Sequence, residues 1–202
     1  LDLTTDGSVQ NVDYKSPSDN PLNSLGNPNT TYTLGKHCYY IKKRHTSSSG
    51  GSSLKFSFAG YFYFDESTDT DAMIFFNNYF HIKYSYSLNK VYIYRNDNAY
   101  IGVPDEVKVK EVSLSPHEWH FIALVINGLN NVTFYINEDS YTITSALIQD
   151  DPMKFFIGGY KYFGGYGESD SNAKFYFTDY LIFNVRLSSE QINNCKNMFT
   201  TG

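Results

Sequence analysis

The chain has no long apolar run. Nowhere in its 202 residues do about 18 consecutive apolar residues occur, the length that a helix needs to cross a bilayer. Basic residues are also few, with 16 Lys and Arg against 21 Asp and Glu and a formal net charge of -5. The missing apolar run argues against insertion into a membrane. Because such a chain has no positive field to attract phosphates, its charge argues against a nucleic-acid or anionic-membrane partner.

Common catalytic and metal-binding strings are missing. No Cys-x-x-Cys, His-Glu-x-x-His or Gly-x-Ser-x-Gly string occurs, which argues against zinc sites and serine hydrolases. The five histidines are scattered, and we expect them to be structural. Glycoside hydrolysis needs two carboxylates on one face, but Asp69 and Asp71 lie in a Ser- and Thr-rich segment that is typical of a solvated turn. The sequence therefore predicts no catalytic residue.

Cysteine and tryptophan are scarce, whereas tyrosine and phenylalanine are abundant. The two cysteines, Cys38 and Cys195, are too few for a disulfide framework and are typical of inert thiols. One Trp stands beside 19 Tyr and 16 Phe. Aromatic rings cover pleated strands well, which is the structural interpretation. The functional interpretation is that some exposed tyrosines stack on sugar rings.

The clearest local pattern is a β-hairpin over residues 118–138. An apolar run that follows Trp119 ends at the turn 127–131, rich in Asn and Gly, and a second alternating run follows. Similar short runs occur at 54–64, 73–86, 91–94 and 107–112, and Ser188 with Gln191 predicts a capping box that begins a short helix. The pattern predicts an all-β, antiparallel two-sheet β-sandwich in one domain, 1–202, with one short C-terminal helix.

Alternation along these strands predicts which side chains point into the sandwich, with the register open by one residue. The predicted inward positions are Phe56, Phe58, Ile74, Ile82, Ile93, Phe121, Val125, Phe134, Ile136, Ile157, Leu181 and Phe183.

Several motifs resemble the laminin-G-like, concanavalin A-like jelly-roll superfamily. The segments are the hairpin at 118–138, the strand at 54–61, Phe156-Ile157-Gly158 and the closing strand with its helix at 175–192. The resemblance implies a concanavalin A-like jelly roll, which in most relatives binds a ligand. The E-x-D-x-x-E string of the hydrolases in this superfamily is absent. In the superfamily the first and last strands tend to be neighbours, which implies that a Cys38–Cys195 disulfide is an alternative to two thiols.

The resemblance also implies a lectin-like site for a glycan or glycoprotein. Sugar binding needs aromatic plates with a few directed polar groups. The first candidate is a loop rich in Gly and Tyr, and the second is the wet face of one sheet. The loop contributes Tyr160, Tyr162, Tyr166, Glu168 and Asp170, and the face contributes Tyr61, Tyr63, His81, Lys83, Tyr92 and Tyr94.

Calcium is the one cofactor that the resemblance suggests, because relatives often bind it in rim loops through Asp and Asn oxygens. Asp69 and Asp170 are the candidate ligands here. The chain begins at Leu1 rather than Met, and we expect a fragment or domain of a larger extracellular, cell-surface or virion-surface protein whose other domains are partners. The predicted function is non-catalytic carbohydrate recognition. The alternatives are a structural or adhesion domain that binds protein or spaces other domains, and a glycoside hydrolase.

Overall fold

A computed structural model describes residues 13–14, 32–33, 39–43, 55–64, 71–77, 79–97, 105–128, 131–144, 153–157, 175–183 and 185–198. The first strands in these ranges are β1 (Asp13–Tyr14), β2 (Tyr32–Thr33), β3 (Tyr39–Lys43), β4 (Lys55–Phe64), β5 (Asp71–Asn77), β6 (Phe80–Ser85) and β7 (Lys90–Asp97). They are followed by β8 (Asp105–Ser113), β9 (Trp119–Asn127), β10 (Asn131–Ile136), β11 (Asp139–Thr144), β12 (Met153–Ile157), β13 (Phe175–Phe183) and the helix α1 (Ser189–Met198).

The strands form two antiparallel sheets, as the sequence predicts. The seven-stranded sheet has the order β1-β2-β13-β4-β9-β10-β11, and the six-stranded sheet has the order β3-β12-β5-β6-β7-β8. Strands close to the two ends of the chain are neighbours, because β13 pairs with both β2 and β4. The fold is the antiparallel two-sheet β-sandwich that the sequence predicts.

The predicted hairpin and the predicted helix start are both present. Strands β9 and β10 pair in register from Ile126 opposite Val132 to Ile122 opposite Ile136. At the turn, Gly128 has a φ of 74°, which a residue without a Cβ adopts at little cost. The side chain of Gln191 accepts the N–H of Ser188 at 2.8 Å, and the N–H of Gln191 donates to Oγ of Ser188 at 3.2 Å. These reciprocal bonds are the predicted capping box.

The main core lies between the two sheets. Seven predicted inward residues belong to it: Phe56, Phe58, Ile74, Ile82, Ile93, Phe134 and Ile136. On β9, however, the inward residues are Ile122, Leu124 and Ile126. The prediction for Phe121 and Val125 was therefore wrong by one residue, and Ile157 lies outside the residues whose side chains are described.

A second apolar cluster covers the outer face of the seven-stranded sheet. Phe121, Val125, Leu181 and Phe183 point toward this outer face. There they pack in one cluster with Ile192 and Cys195 of α1. The predicted inward position of these four residues fails because both faces of this sheet are apolar, one toward the core and one toward the helix. Cys195 is a buried free thiol, and Cys38 lies outside the described residues.

Candidate functional site

The predicted site residues fall into two groups in the structure. The loop residues Tyr160, Tyr162, Tyr166, Glu168 and Asp170, and the candidate calcium ligand Asp69, lie outside the described residues. Tyr92 and Tyr94 lie on β7 of the six-stranded sheet. Both are partly exposed and alternate with Val91 and Ile93, which are buried in the main core. The two tyrosines therefore point away from the core, on the outer face of this sheet.

The predicted wet face does not exist as one surface. Tyr61 and Tyr63 belong to β4 in the seven-stranded sheet, where both are buried, at 5% and 8% exposure. The hydroxyl of Tyr61 donates to the backbone carbonyl of Lys196 in α1 at 2.8 Å, which places this ring under the helix. Alternation along a strand identifies residues that share a face, but it does not say which sheet the strand joins. The grouping of Tyr61 and Tyr63 with Tyr92 and Tyr94 was therefore wrong.

His81, Lys83, Tyr92 and Tyr94 do share the outer face of the six-stranded sheet. In the β6–β7 ladder His81 lies opposite Tyr94 and Lys83 opposite Tyr92. The rings of His81 and Tyr94 are stacked with centroids 4.7 Å apart, and the rings of Tyr92 and Tyr94 are 6.2 Å apart. Two tyrosine rings thus stand side by side along one strand, and a buried imidazole supports one of them.

Charged side chains surround these rings. The Nζ atom of Lys83 lies 5.2 Å from the ring centre of Tyr94, and that of Lys108 lies 5.0 Å from the ring centre of Tyr92. Both distances lie within the range of cation–π attraction. Lys83 also donates to Oε2 of Glu106 at 3.3 Å. We call this surface, made of Lys83, Tyr92, Tyr94, Glu106, Lys108 and Glu111, the tyrosine face.

Glu111 bridges Lys108 of the tyrosine face and the neighbouring Lys90. Its two carboxylate oxygens accept from Lys90 and from Lys108, each at 2.9 Å. Hydrogen bonds to these two ammonium groups lower the pKa of Glu111 to about 2 and raise the pKa of both lysines. Burial, followed by the charges of Glu106 and Asp71, raises the pKa of Tyr94. The Tyr94 hydroxyl therefore keeps its proton near neutral pH and remains a hydrogen-bond donor.

Sequence reasoning missed the partners of the two tyrosines on β8. The run at 107–112 was predicted as a strand, but the prediction did not connect Glu106, Lys108 and Glu111 with Tyr92 and Tyr94. The ladder places Glu111 opposite Tyr92 and Lys108 opposite Tyr94, with an irregularity between Ile93 and Tyr94. The signal in the sequence was the charged alternation of 106–111 directly after a strand with two tyrosines, which predicts neighbours only if the two strands pair.

The tyrosine face presents several kinds of group that can contact a ligand. It has aromatic rings, ammonium donors and carboxylate acceptors side by side. The opposite face of its central strands packs in the main core. Within the described ranges no group of three or more His, Cys, Asp or Glu side chains is placed to hold a metal ion. In the same part of the chain no helix is long and apolar enough to cross a membrane.

Comparisons with known proteins agree with this fold. A family model described as the concanavalin A-like lectin/glucanases superfamily matches residues 40–193. No curated protein sequence matches the chain.

Solved structures resemble the chain at low sequence identity. The binding domain of botulinum neurotoxin DC, in complex with rat synaptotagmin II, has a TM-score of 0.54 and 14% identity over 84% of this chain and 43% of that one. A structure reported for the ganglioside-dependent cell entry of botulinum neurotoxin type C has a TM-score of 0.53 and 14% identity over 84% and 42%. A Trypanosoma rangeli sialidase has a TM-score of 0.60 and 12% identity over 87% and 29%. The chain thus spans less than half of each of these proteins, and at such identities the likeness is one of fold.

Proposed function

Because the chain belongs to the concanavalin A-like lectin/glucanase superfamily, we propose that it is a non-catalytic recognition module that binds carbohydrate on a glycan or glycoprotein. The tyrosine face is the binding surface. The module acts outside the cell, at a cell surface or on a virion, as one part of a larger protein. Two of the similar structures support this setting, since one concerns a ganglioside-dependent cell entry and another a complex with synaptotagmin.

The observation that carries the proposal is the arrangement of Tyr92 and Tyr94. Two partly exposed rings, 6.2 Å apart, lie between ammonium and carboxylate groups of neighbouring strands. A sugar ring offers an apolar C–H face to an aromatic ring and hydroxyls to the polar groups around it. A surface that combines aromatic rings with a few fixed polar groups suits that ligand. Affinity for one sugar at an open surface is modest, and several copies on one parent protein would raise it by multivalency.

A hydrolase has less support on this surface. Glycoside hydrolysis needs one carboxyl group that stays protonated near neutral pH to act as an acid. Glu111 has the opposite property, because its two lysine partners keep it ionised. Both Glu106 and Glu111 are engaged by lysines within 3.3 Å. Recognition is the better explanation of these carboxylates.

The rival proposal is a protein-binding or spacer domain, and one observation favours it. Strand β8 lies at the end of the six-stranded sheet, and its Val107 and Val109 are 38% and 39% exposed. An exposed edge strand can pair with a strand of another protein. The exposed side chains of Lys108 and Lys110 and the irregular register of β8 oppose such pairing. We therefore favour the carbohydrate.

The test is a broad glycan array, read with calcium and again with chelator. We expect selective binding that Tyr92→Ala combined with Tyr94→Ala abolishes. Tyr141→Ala, in β11 of the other sheet, is the matched control and should bind normally. Loss of binding with Tyr162→Ala and Tyr166→Ala instead would place the site in the loop that the sequence proposed first. Loss with chelator would support calcium at Asp69 or Asp170, and a blank array in both conditions would favour the protein-binding alternative.

A further inference from the structure

We propose that the ligand of the tyrosine face is a neutral oligosaccharide, and that glycans ending in a carboxylate sugar are disfavoured. This inference rests on the proposed function, because it names the class of sugar for the same surface. The observation behind it is that the ammonium groups of Lys83, Lys90 and Lys108 are already paired with carboxylates of the protein itself.

Among the side chains that the structure describes, three ammonium and three carboxylate groups lie on or beside the tyrosine face. The ammonium groups belong to Lys83, Lys90 and Lys108, and the carboxylates belong to Glu106, Glu111 and Asp71. Lys83 is paired with Glu106 at 3.3 Å, while Lys90 and Lys108 are both paired with Glu111 at 2.9 Å. The Nε2 atom of His81 lies 3.6 Å from the other oxygen of Glu106. The formal charges of these three lysines and three carboxylates cancel. His81 adds a positive charge only when its imidazole is protonated.

An acidic sugar would meet an unfavourable environment on this surface. To reach Lys83, Lys90 or Lys108, its carboxylate must compete with Glu106 or Glu111, which already accept from these lysines. The carboxylate of the ligand would then lie next to that of the glutamate. Like charges placed together at an interface repel each other, which suppresses the wrong partner. Glu111 is the harder of the two to displace, since it accepts from two lysines at once.

A neutral sugar meets no such conflict. A hydroxyl group both donates and accepts, so it can donate to a glutamate and accept from the paired lysine without separating them. Lys83 and Lys108 also lie within cation–π distance of the rings of Tyr94 and Tyr92. Hydrogen bonds to charged partners are about twice as strong as neutral ones. The ion pairs therefore act as preformed donors and acceptors for hydroxyls.

The experiment compares sialylated glycans with the same glycans after sialidase treatment. We expect the desialylated forms to bind the wild-type domain at least about tenfold more tightly. Binding that disappears after sialidase treatment would overturn the inference and leave the proposed function standing. A domain that binds no glycan in either set would overturn both.

A variant separates charge from shape. Glu111→Gln keeps the size of the side chain but releases Lys90 and Lys108, and we expect the preference for desialylated glycans to fall by about tenfold or to reverse. This change in preference should be smaller in high salt, because exposed charges are screened. Glu138→Gln, whose partner is Lys196 in α1, is the matched control and should keep the wild-type preference. An unchanged preference in Glu111→Gln, with the Trp119 fluorescence of the folded domain intact, would show that charge balance does not set the specificity.

Discussion

The backbone N–H of Leu187 donates a hydrogen bond to the hydroxyl of Ser57, 130 positions earlier in the chain, at 3.0 Å. The same hydroxyl donates to the carbonyl of Val185 at 2.8 Å. Ser57 is fully buried on the outer face of β4, and Leu187 immediately precedes the cap of α1. One side chain thus fixes the segment that leads into the helix onto the seven-stranded sheet.

Ser57→Ala should lower the free energy of unfolding by about 1–3 kcal/mol, because it leaves the buried N–H of Leu187 without its partner and also removes the bond to the carbonyl of Val185. Chemical denaturation followed by Trp119 fluorescence measures the change. Thr142→Ala is the control, since it removes a hydroxyl pair with Thr133 at the exposed surface and should cost much less. A cost for Ser57→Ala no larger than that of the control would contradict the role assigned to this hydroxyl.

Asn137 joins the turn between β10 and β11 to the start of β9. Its Oδ1 atom accepts the N–H of Phe121 at 3.1 Å, and its Nδ2 atom donates to Nδ1 of His120 at 3.2 Å. Because an amide nitrogen only donates, the proton of the imidazole lies on Nε2, which donates to the carbonyl of Ser115 at 2.7 Å. His120 is therefore a structural histidine, as the sequence predicts.

We expect Asn137→Ala to destabilise the domain by about 3 kcal/mol. The change removes both side-chain bonds, and it leaves a residue with a Cβ at a φ of 54° without the bonds that offset the strain of this conformation. Asn137→Gly loses the same bonds but tolerates this φ, and it should recover about 1 kcal/mol of that loss. Urea denaturation of the two variants measures the difference. Equal stabilities would show that the backbone conformation of Asn137 contributes nothing.

Local features could be predicted from the sequence, because they depend on residues close in the chain. The hairpin of β9 and β10 and the cap formed by Ser188 and Gln191 are examples. Which face of β9 points into the main core could not be predicted. Its odd-numbered residues from Phe121 are apolar because α1 covers them, and its even-numbered residues from Ile122 are apolar because the main core covers them. A strand that is apolar on both faces carries no alternation that decides between them.

The candidate site was predictable only in part, for the same physical reason. Tyr92 and Tyr94 were identified as partners on one strand, since residues two apart share a face. Their neighbours Glu106 and Glu111 come from β8, and the contact depends on strand order and on a register shift between Ile93 and Tyr94. Pairing of this kind is decided by the whole sheet. The same limit explains why Tyr61 was placed with Tyr92, although the two belong to different sheets.

The helix that Ser188 caps carries a buried thiol. Ser188→Ala removes the side-chain oxygen that accepts the N–H of Gln191, which should cost about 1 kcal/mol of helix stability. Cys195 lies on the buried side of α1, and burial raises the pKa of its thiol. We therefore expect slow modification by a thiol reagent in the native domain, through local opening of the helix.

In a Cys38→Ser background, where Cys195 is the only thiol, Ser188→Ala should speed this modification about fivefold, the factor that corresponds to 1 kcal/mol. Ser189→Ala is the matched control, because the hydroxyl of Ser189 bonds to the hydroxyl of Tyr135 at 3.1 Å, whereas the capping bonds involve Ser188. Equal rates in the two variants would show that the cap does not limit the opening of α1.

Glu111 should make the stability of the domain depend on pH in the acidic range. Its pKa falls from 4.5 to about 2 on folding, because the folded state holds the ionised carboxylate between Lys90 and Lys108. The stabilisation is therefore fully present above pH 4.5 and is lost as the pH falls toward 2. We expect the urea midpoint of the wild type to exceed that of Glu111→Gln above pH 4.5, and the gap to close by about pH 2. Lys90→Gln combined with Lys108→Gln removes the partners instead of the carboxylate, and it should flatten the same part of the profile. A gap that stays constant over this range would mean that the two lysines do not hold the charge of Glu111 in the folded protein.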